Sequence, residues 1–192
     1  MIDHVDIRVS DLAVSRAFYL DVLGPPTVDD ADFIEWGDFG IVDASDEEPL
    51  TRRLHVAVVV QEETDCGCLV DPDGNTLEAV HDETSGVGAI LHVRLRTRDV
   101  AAAKRFYEIV VGNSGGAVSF VASDEPTQNV HLAFGVPDFD AVVRFHEAAL
   151  AAGYRDNGPP GERPQYHPGY YGAFVLDPDG NNVELVNHNR PA

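Results

Sequence analysis

The sequence predicts an α+β fold made by tandem duplication, and three features of the chain predict it. The first is HPGYYGAFVLDPDGNNVELV, residues 167–186, which reads as an apolar strand from Gly172 to Leu176, a turn at Asp177-Pro178-Asp179-Gly180, and a second strand from Asn182 to Val186. Pro178 presets φ for the turn and Gly180 takes the position where φ can be positive. The second is the return of this pattern in GCLVDPDGNTLEAVH, residues 67–81, with Asp71 to Glu78 spaced like Asp177 to Glu184. The third lies upstream: DHVDIRVSDL matches LHVRLRTRDV, Phe18-Tyr19 before Gly24 matches Phe106-Tyr107 before Gly112, and His55 in LHVAVVV matches His131 in VHLAFGV. Repeats of this length decide an architecture. Each copy carries His, then His, then Glu, each near a strand end.

Taken in order, residues 2–9 form a strand, and Asp11 caps a helix running to about Leu23 with one apolar face at helical spacing. Gly24-Pro25-Pro26 stops it. Short strands follow near Asp32 to Trp36 and Gly40 to Asp43, then an acidic loop from Ser45 to Arg53 and a strand from Leu54 to Val60. From there the copies differ. His55 to Glu78 spans 23 residues, whereas His131 to Glu184 spans 53, so the first copy passes from strand to hairpin through Gln61 to Asp65 without a helix or its neighbouring strands. Thr84 to Gly88 is short and small-residued and marks the expected boundary between a truncated unit, 1–84, and a second unit, 89–192. The second unit restarts with a strand at Ile90 to Thr97, a helix capped by Asp99 to about Val111, and strands at Ala117 to Ala122 and Val130 to Val136. Asp138 caps a helix from Phe139 to Ala152 that Gly153 terminates, and the Gly- and Pro-rich stretch 156–168 is expected to be irregular.

Composition narrows the partners. The chain has 192 residues, 44% hydrophobic, and a formal charge of −20 from 33 acidic against 13 basic residues. Such a surface repels nucleic acid and anionic lipid, so neither is expected as a partner. No apolar run approaches the length that crosses a bilayer, and residues 1–24 lack a basic start followed by a long apolar centre. A cytoplasmic protein is expected. Cys66 and Cys68 are the only cysteines; a reducing compartment fits them, and a structural zinc site built on cysteines does not.

Strand, helix and strands repeated, with a histidine opening one module and DPDGN-x-x-E closing its partner, resembles the vicinal oxygen chelate superfamily, which includes glyoxalase I, extradiol dioxygenases and bleomycin-binding proteins. The resemblance covers nearly the whole chain and is strongest over His131 to Val186. It implies tandem βαβββ modules, the first copy having a truncated second module, arranged around one divalent metal ion (Fe, Zn, Mn, Ni or Co). Carried over to this sequence, it offers His92, His131 and Glu184 as ligands in the second copy and His4, His55 and Glu78 in the first. Pairing the two fullest modules, 1–50 and 129–188, gives a third arrangement, His4 with His131 and Glu184. Two imidazoles and a carboxylate on one face of a metal leave positions open for a bidentate oxygen substrate.

Beside the ligands, Tyr166, Tyr170 and Tyr171 flank the hairpin. Tyr171, with Glu184, is the expected catalytic pair, and Tyr166, Tyr170 and Arg163 are the expected substrate contacts. Cys66 and Cys68 align with Gly172 and Phe174 and are expected to be buried thiols, while His81 and His188 are expected at the surface. The resemblance implies a metal-dependent lyase, isomerase or ring-cleaving dioxygenase acting on a small oxygenated molecule. The alternative is a metal-free protein that sequesters a small aromatic or cationic molecule, to which an acidic surface is suited. A homodimer is left open.

Overall fold

The computed structural model describes residues 1–61 and 67–189. Cys66 and most of the connection expected from Gln61 to Asp65 lie outside them. The chain runs β1 (Ile2–Val9), α1 (Leu12–Leu23), β2 (Val28–Asp29), β3 (Phe33–Trp36), β4 (Phe39–Asp43), β5 (His55–Val60), β6 (Cys68–Val70), β7 (Thr76–His81), β8 (Ile90–Thr97), α2 (Val100–Val110), β9 (Val118–Ala122), β10 (His131–Gly135), α3 (Phe139–Ala151), β11 (Arg155–Glu162), β12 (Tyr171–Leu176) and β13 (Asn182–Asn187). It is an α+β fold in two sheets. Among the described residues no helix is long and apolar enough to cross a membrane.

All three helices start where the sequence says. Asp11, Asp99 and Asp138 each accept a hydrogen bond from the backbone N–H three residues on, at Val14, Ala102 and Ala141, which satisfies donors that a helix start leaves without partners. The 156–168 stretch differs from expectation. Its first half is β11, whose Pro159 and Pro160 are tolerated because the strand lies at the sheet edge, where missing donors break no ladder.

The larger sheet has the order β11-β12-β13-β10-β1-β4-β3-β2, and the smaller the order β6-β7-β5-β8-β9. The smaller sheet repeats the middle five strands of the larger one. β5 runs parallel to β7 with Ala57 opposite Glu78, as β10 runs parallel to β13 with Ala133 opposite Glu184. β8 runs antiparallel to β5 with Arg94 opposite His55, as β1 runs antiparallel to β10 with Asp6 opposite His131. Counterparts of β11, β3 and β2 are missing from the smaller sheet among the described residues.

Each sheet therefore draws on both halves of the chain. The unit expected over 1–84 and the unit expected over 89–192 do not each close a sheet; the first module joins the last, and the two short modules join each other. The modules that pair are alike in size: β1–β4 and β10–β13 carry the extra strands β2, β3 and β11, and β5–β7 and β8–β9 have no counterparts of these among the described residues. The Thr84 to Gly88 connection is packed rather than loose: Gly88 N–H donates to Val59 O (2.9 Å) and Asp38 N–H to Gly88 O (3.3 Å). One apolar core, with Val5, Phe39, Val58, Val93, Leu132 and Val183 all fully buried or nearly so, spans both sheets.

Candidate functional site

The two DPDGN turns act as register setters. Asp177 Oδ1 accepts from the N–H groups of Asp179 and Asn181 inside the turn, and Asp71 Oδ1 does the same with Asp73 and Asn75. The asparagine then reaches the next strand over: Asn181 Oδ1 accepts from Val130 N–H and Asn75 Oδ1 from Leu54 N–H. Each turn is thus fastened to the residue just before the histidine that opens β10 or β5. Glu184 and Glu78 sit seven residues past the first Asp of their turns, so this fastening carries each of them to its histidine.

The result is two clusters. In the larger sheet His131 Nε2 lies 3.0 Å from Glu184 Oε2, and His4 Nε2, from the neighbouring β1, lies 3.8 Å from the same oxygen. The two imidazoles meet edge to face with centroids 5.2 Å apart. In the smaller sheet His55 Nε2 lies 2.9 Å from Glu78 Oε2, and the His92 ring is 5.5 Å from His55. His92 is therefore not beside His131 and Glu184, as expected from the second copy alone, and His4 is not beside His55 and Glu78. β1 pairs with β10 and β8 with β5, which exchanges the two first-strand histidines.

The first cluster is the more enclosed. Glu184 has no exposed surface, while the Glu78 side chain is 36% exposed. Tyr170 O–H donates to Glu184 Oε1 at 2.7 Å, leaving Oε2 to the histidines. Burial first, then the charge of Glu184, push the Tyr170 hydroxyl well up, so it stays a donor. Asp3 Oδ1 receives His4 Nδ1 at 2.9 Å, and His188 Nε2 meets the same carboxylate at 2.9 Å. Burial opposes a charge on His4, but the hydrogen bond to Asp3 and the charges of Asp6 and Glu184 outweigh it and raise His4 to about 9. Asp3 is held far below the usual carboxylate range; burial works against this, and His188 and His4 overcome it. Asp6 Oδ2 lies 3.8 Å from a ring nitrogen of each histidine.

Two glycines make room for these carboxylates. A Cβ on Gly172 would run into Glu184 Oε1, and one on Gly40 into Asp6 Oδ1. The other expected residues are placed as follows. Tyr171 stands on the opposite face of β12, stacked on Phe139 of α3 with centroids 4.4 Å apart, so it is Tyr170 that reaches the carboxylate. Strand alternation is the reason: Tyr170, Gly172 and Phe174 share the site face, and Tyr171 and Ala173 the other. Tyr166 is exposed and packs on Tyr170 (4.9 Å). The Arg163 guanidinium lies 5.5 Å from the Phe174 ring centre, and that ring is 5.9 Å from His131. His188, expected at the surface, is part-buried against Asp3, and its ring stacks on His167 (5.2 Å). Cys68, expected to be buried, is exposed, because among the described residues no strand pairs with the outer side of β6. Asp3 and Asp6 escaped the sequence reading; the only signal was that these two acids flank His4 in DHVD.

Paired sheets of repeated modules, with histidines from neighbouring strands facing a glutamate on a third, define a vicinal oxygen chelate fold. Residues 1–67 match the family model of the Glyoxalase/Bleomycin resistance protein/Dioxygenase superfamily. Among solved structures the chain is similar to glyoxalase I from Zea mays, at 18% identity and a TM-score of 0.61 over 97% of this chain and 92% of that one. A V278E mutant of the same enzyme gives 0.65. A putative dioxygenase from Bacillus subtilis subsp. subtilis str. 168 aligns at 12% identity and 0.62, covering 98% of this chain and 85% of that one. No curated protein matches the chain.

Proposed function

We propose that His4, His131 and Glu184 hold one divalent metal ion, and that the site acts on a small oxygenated molecule as a lyase, isomerase or ring-cleaving dioxygenase. The observation that carries this reading is the convergence of two ring nitrogens, from adjacent strands, on one oxygen of a wholly buried carboxylate. Ligand bonds of about 2.0–2.2 Å put donor atoms about 3–4 Å apart, and the separations of 3.0 and 3.8 Å suit that without rearrangement of the strands. The donor atoms of His4, Asp6 and His131 also lie within 4.8 Å of one another, with Asp6 on the Nδ1 side of His131 and Glu184 on its Nε2 side. When bound, such an ion polarises a substrate oxygen as a Lewis acid.

The chain's own groups prepare the site for this. Asp3 fixes the His4 ring by its Nδ1, which aims Nε2 at Glu184. Tyr170 holds Glu184 by Oε1 and prevents the carboxylate from turning away. Asp6 stands at the site edge, where a carboxylate can take a proton from a substrate carbon next to an oxygen. Arg163, Tyr166 and Phe174 supply a partly apolar rim with one cation, suited to a small molecule that carries oxygen.

Metal analysis tests the reading. After chelator treatment and dialysis against a divalent metal, Glu184→Gln protein should retain one ion fewer per chain than the unaltered protein, and His131→Ala should match it. Unaltered protein that keeps no ion, or a Glu184→Gln variant that keeps as many, would overturn the reading. Metal-free capture of a small cationic or aromatic molecule would then be the function of this acidic face.

A further inference from the structure

The smaller sheet holds donor groups that the proposed activity does not use. Cys68 on β6 is directly opposite Glu78 on β7, the position that Phe174 takes opposite Glu184 in the larger sheet. Residues opposite each other in an antiparallel pair project from the same face. An aromatic wall in one sheet is therefore a thiol in the other. Ligand atoms of His55, Cys68 and Glu78 lie within 4.8 Å of one another, with His55 and Glu78 already 2.9 Å apart. His92, on β8, stands beside His55 with ring centroids 5.5 Å apart.

We propose that His55, Cys68 and Glu78 form a second divalent-metal site containing a thiolate, with His92, whose ring stands beside His55, turning in as the fourth ligand. The four lie on four consecutive strands of the sheet, β6, β7, β5 and β8, one ligand from each. Three-ligand sites keep a position for substrate, whereas four-ligand sites with sulfur are the structural kind. Sulfur, two imidazoles and one carboxylate select zinc among the common divalent ions. Binding forms a sulfur–metal bond and releases the thiol proton to solvent; nothing is oxidised or reduced.

Charge and access agree with this. Arg94 stands opposite His55, where the other cluster has Asp6 opposite His131. A lone dication beside a guanidinium would be repelled, but a dication with one thiolate and one carboxylate is neutral. The thiolate thus compensates for the loss of an acid at the Arg94 position. β6 is an edge strand among the described residues, and the Cys68 thiol on it is exposed. The role that follows is mechanical: an ion would clasp the short edge strand β6 to a sheet that lacks the outer strands of its larger counterpart.

Cobalt(II) is the probe, because a thiolate ligand gives a near-ultraviolet charge-transfer band that histidines and carboxylates cannot. Chelator-treated full-length protein, kept reduced, should develop this band on titration with cobalt chloride. The band should persist in Glu184→Gln and in Cys66→Ser, and disappear in Cys68→Ser. Cys68 is exposed, so Cys68→Ser keeps the fold, which an unchanged circular dichroism spectrum verifies. Zinc chloride should raise the melting temperature of Glu184→Gln protein, and less so when Cys68→Ser is added. No band in the unaltered protein, or a band that survives Cys68→Ser, overturns the proposal. Neither result touches the His4, His131 and Glu184 reading, which contains no sulfur.

Discussion

His4 is the residue whose charge state the fold controls most plainly. It lies among Asp3, Asp6 and Glu184, and their combined pull raises it to about 9 from an ordinary value of 6.5. A raised basic group stabilises the fold while protonated, so its contribution is complete below pH 6.5 and is lost as the pH rises to about 9. Asp3 acts in the other direction: lowered in the fold, it stabilises above the usual carboxylate range and loses that contribution as acid protonates it. We predict that the metal-free protein melts at progressively lower temperature between pH 6.5 and about 9, and that His4→Gln flattens this slope. Metal reverses the sign, since a bound imidazole must be deprotonated, and the affinity of the His4 site for zinc should rise over the same interval. Melting curves and zinc titrations at stepped pH measure both; a slope unaffected by His4→Gln would assign the loss to other groups.

At the scale of elements, two glycines convert strand pairing into site geometry. Gly172 on β12 leaves the space into which Glu184 projects from β13. A methyl group there must displace the carboxylate from His131 and Tyr170, while the backbone needs no unusual φ at this position. Gly172→Ala should therefore leave a folded protein with weakened metal retention at the His4 site, and metal content per chain against melting temperature separates the two effects. Gly88 is a different case. Its φ is +84°, and a Cβ would press on the Trp36 carbonyl. Left-handed backbone in a residue other than glycine costs about 1–3 kcal/mol before any clash, and the connection here joins both sheets through Asp38 and Val59. Gly88→Ala should lower stability by at least about 1–3 kcal/mol, read from denaturant unfolding, with no direct effect on either histidine cluster.

Over the whole molecule, charge dominates. With 33 acidic and 13 basic residues, the surface repels itself at low ionic strength. The ion pairs found among the described residues are few, and Arg16–Asp29 and Arg144–Asp138 are largely exposed, so they offset little. Salt screens such repulsion with a Debye length of about 10 Å at 0.1 M. Chelator-treated protein should melt at rising temperature as sodium chloride is added, and again as the pH falls modestly towards 4.4, the isoelectric point of the sequence. A melting temperature independent of salt would show that net repulsion does not govern stability.

The sequence by itself determined the local structure. Asp11, Asp99 and Asp138 mark helix starts, DPDGN marks hairpins, and alternation places His131 and Glu184 on their strands, because capping, turn geometry and strand pleat act over a few residues. It also limited the site to a short list of histidines and glutamates. What it left open is which histidine meets which glutamate: His4 and His92 open strands of matching pattern, HVDI and HVRL, and either could lie beside β10. The same ambiguity hid the part played by Asp6 and Arg94, whose neighbours depend on the partner strand. Tertiary structure decided it. β1 and β10 are more than a hundred residues apart, and pairing at that separation is settled by the packing of the whole fold rather than by any few residues; it joined β1 to β10 and brought His4, rather than His92, to Glu184.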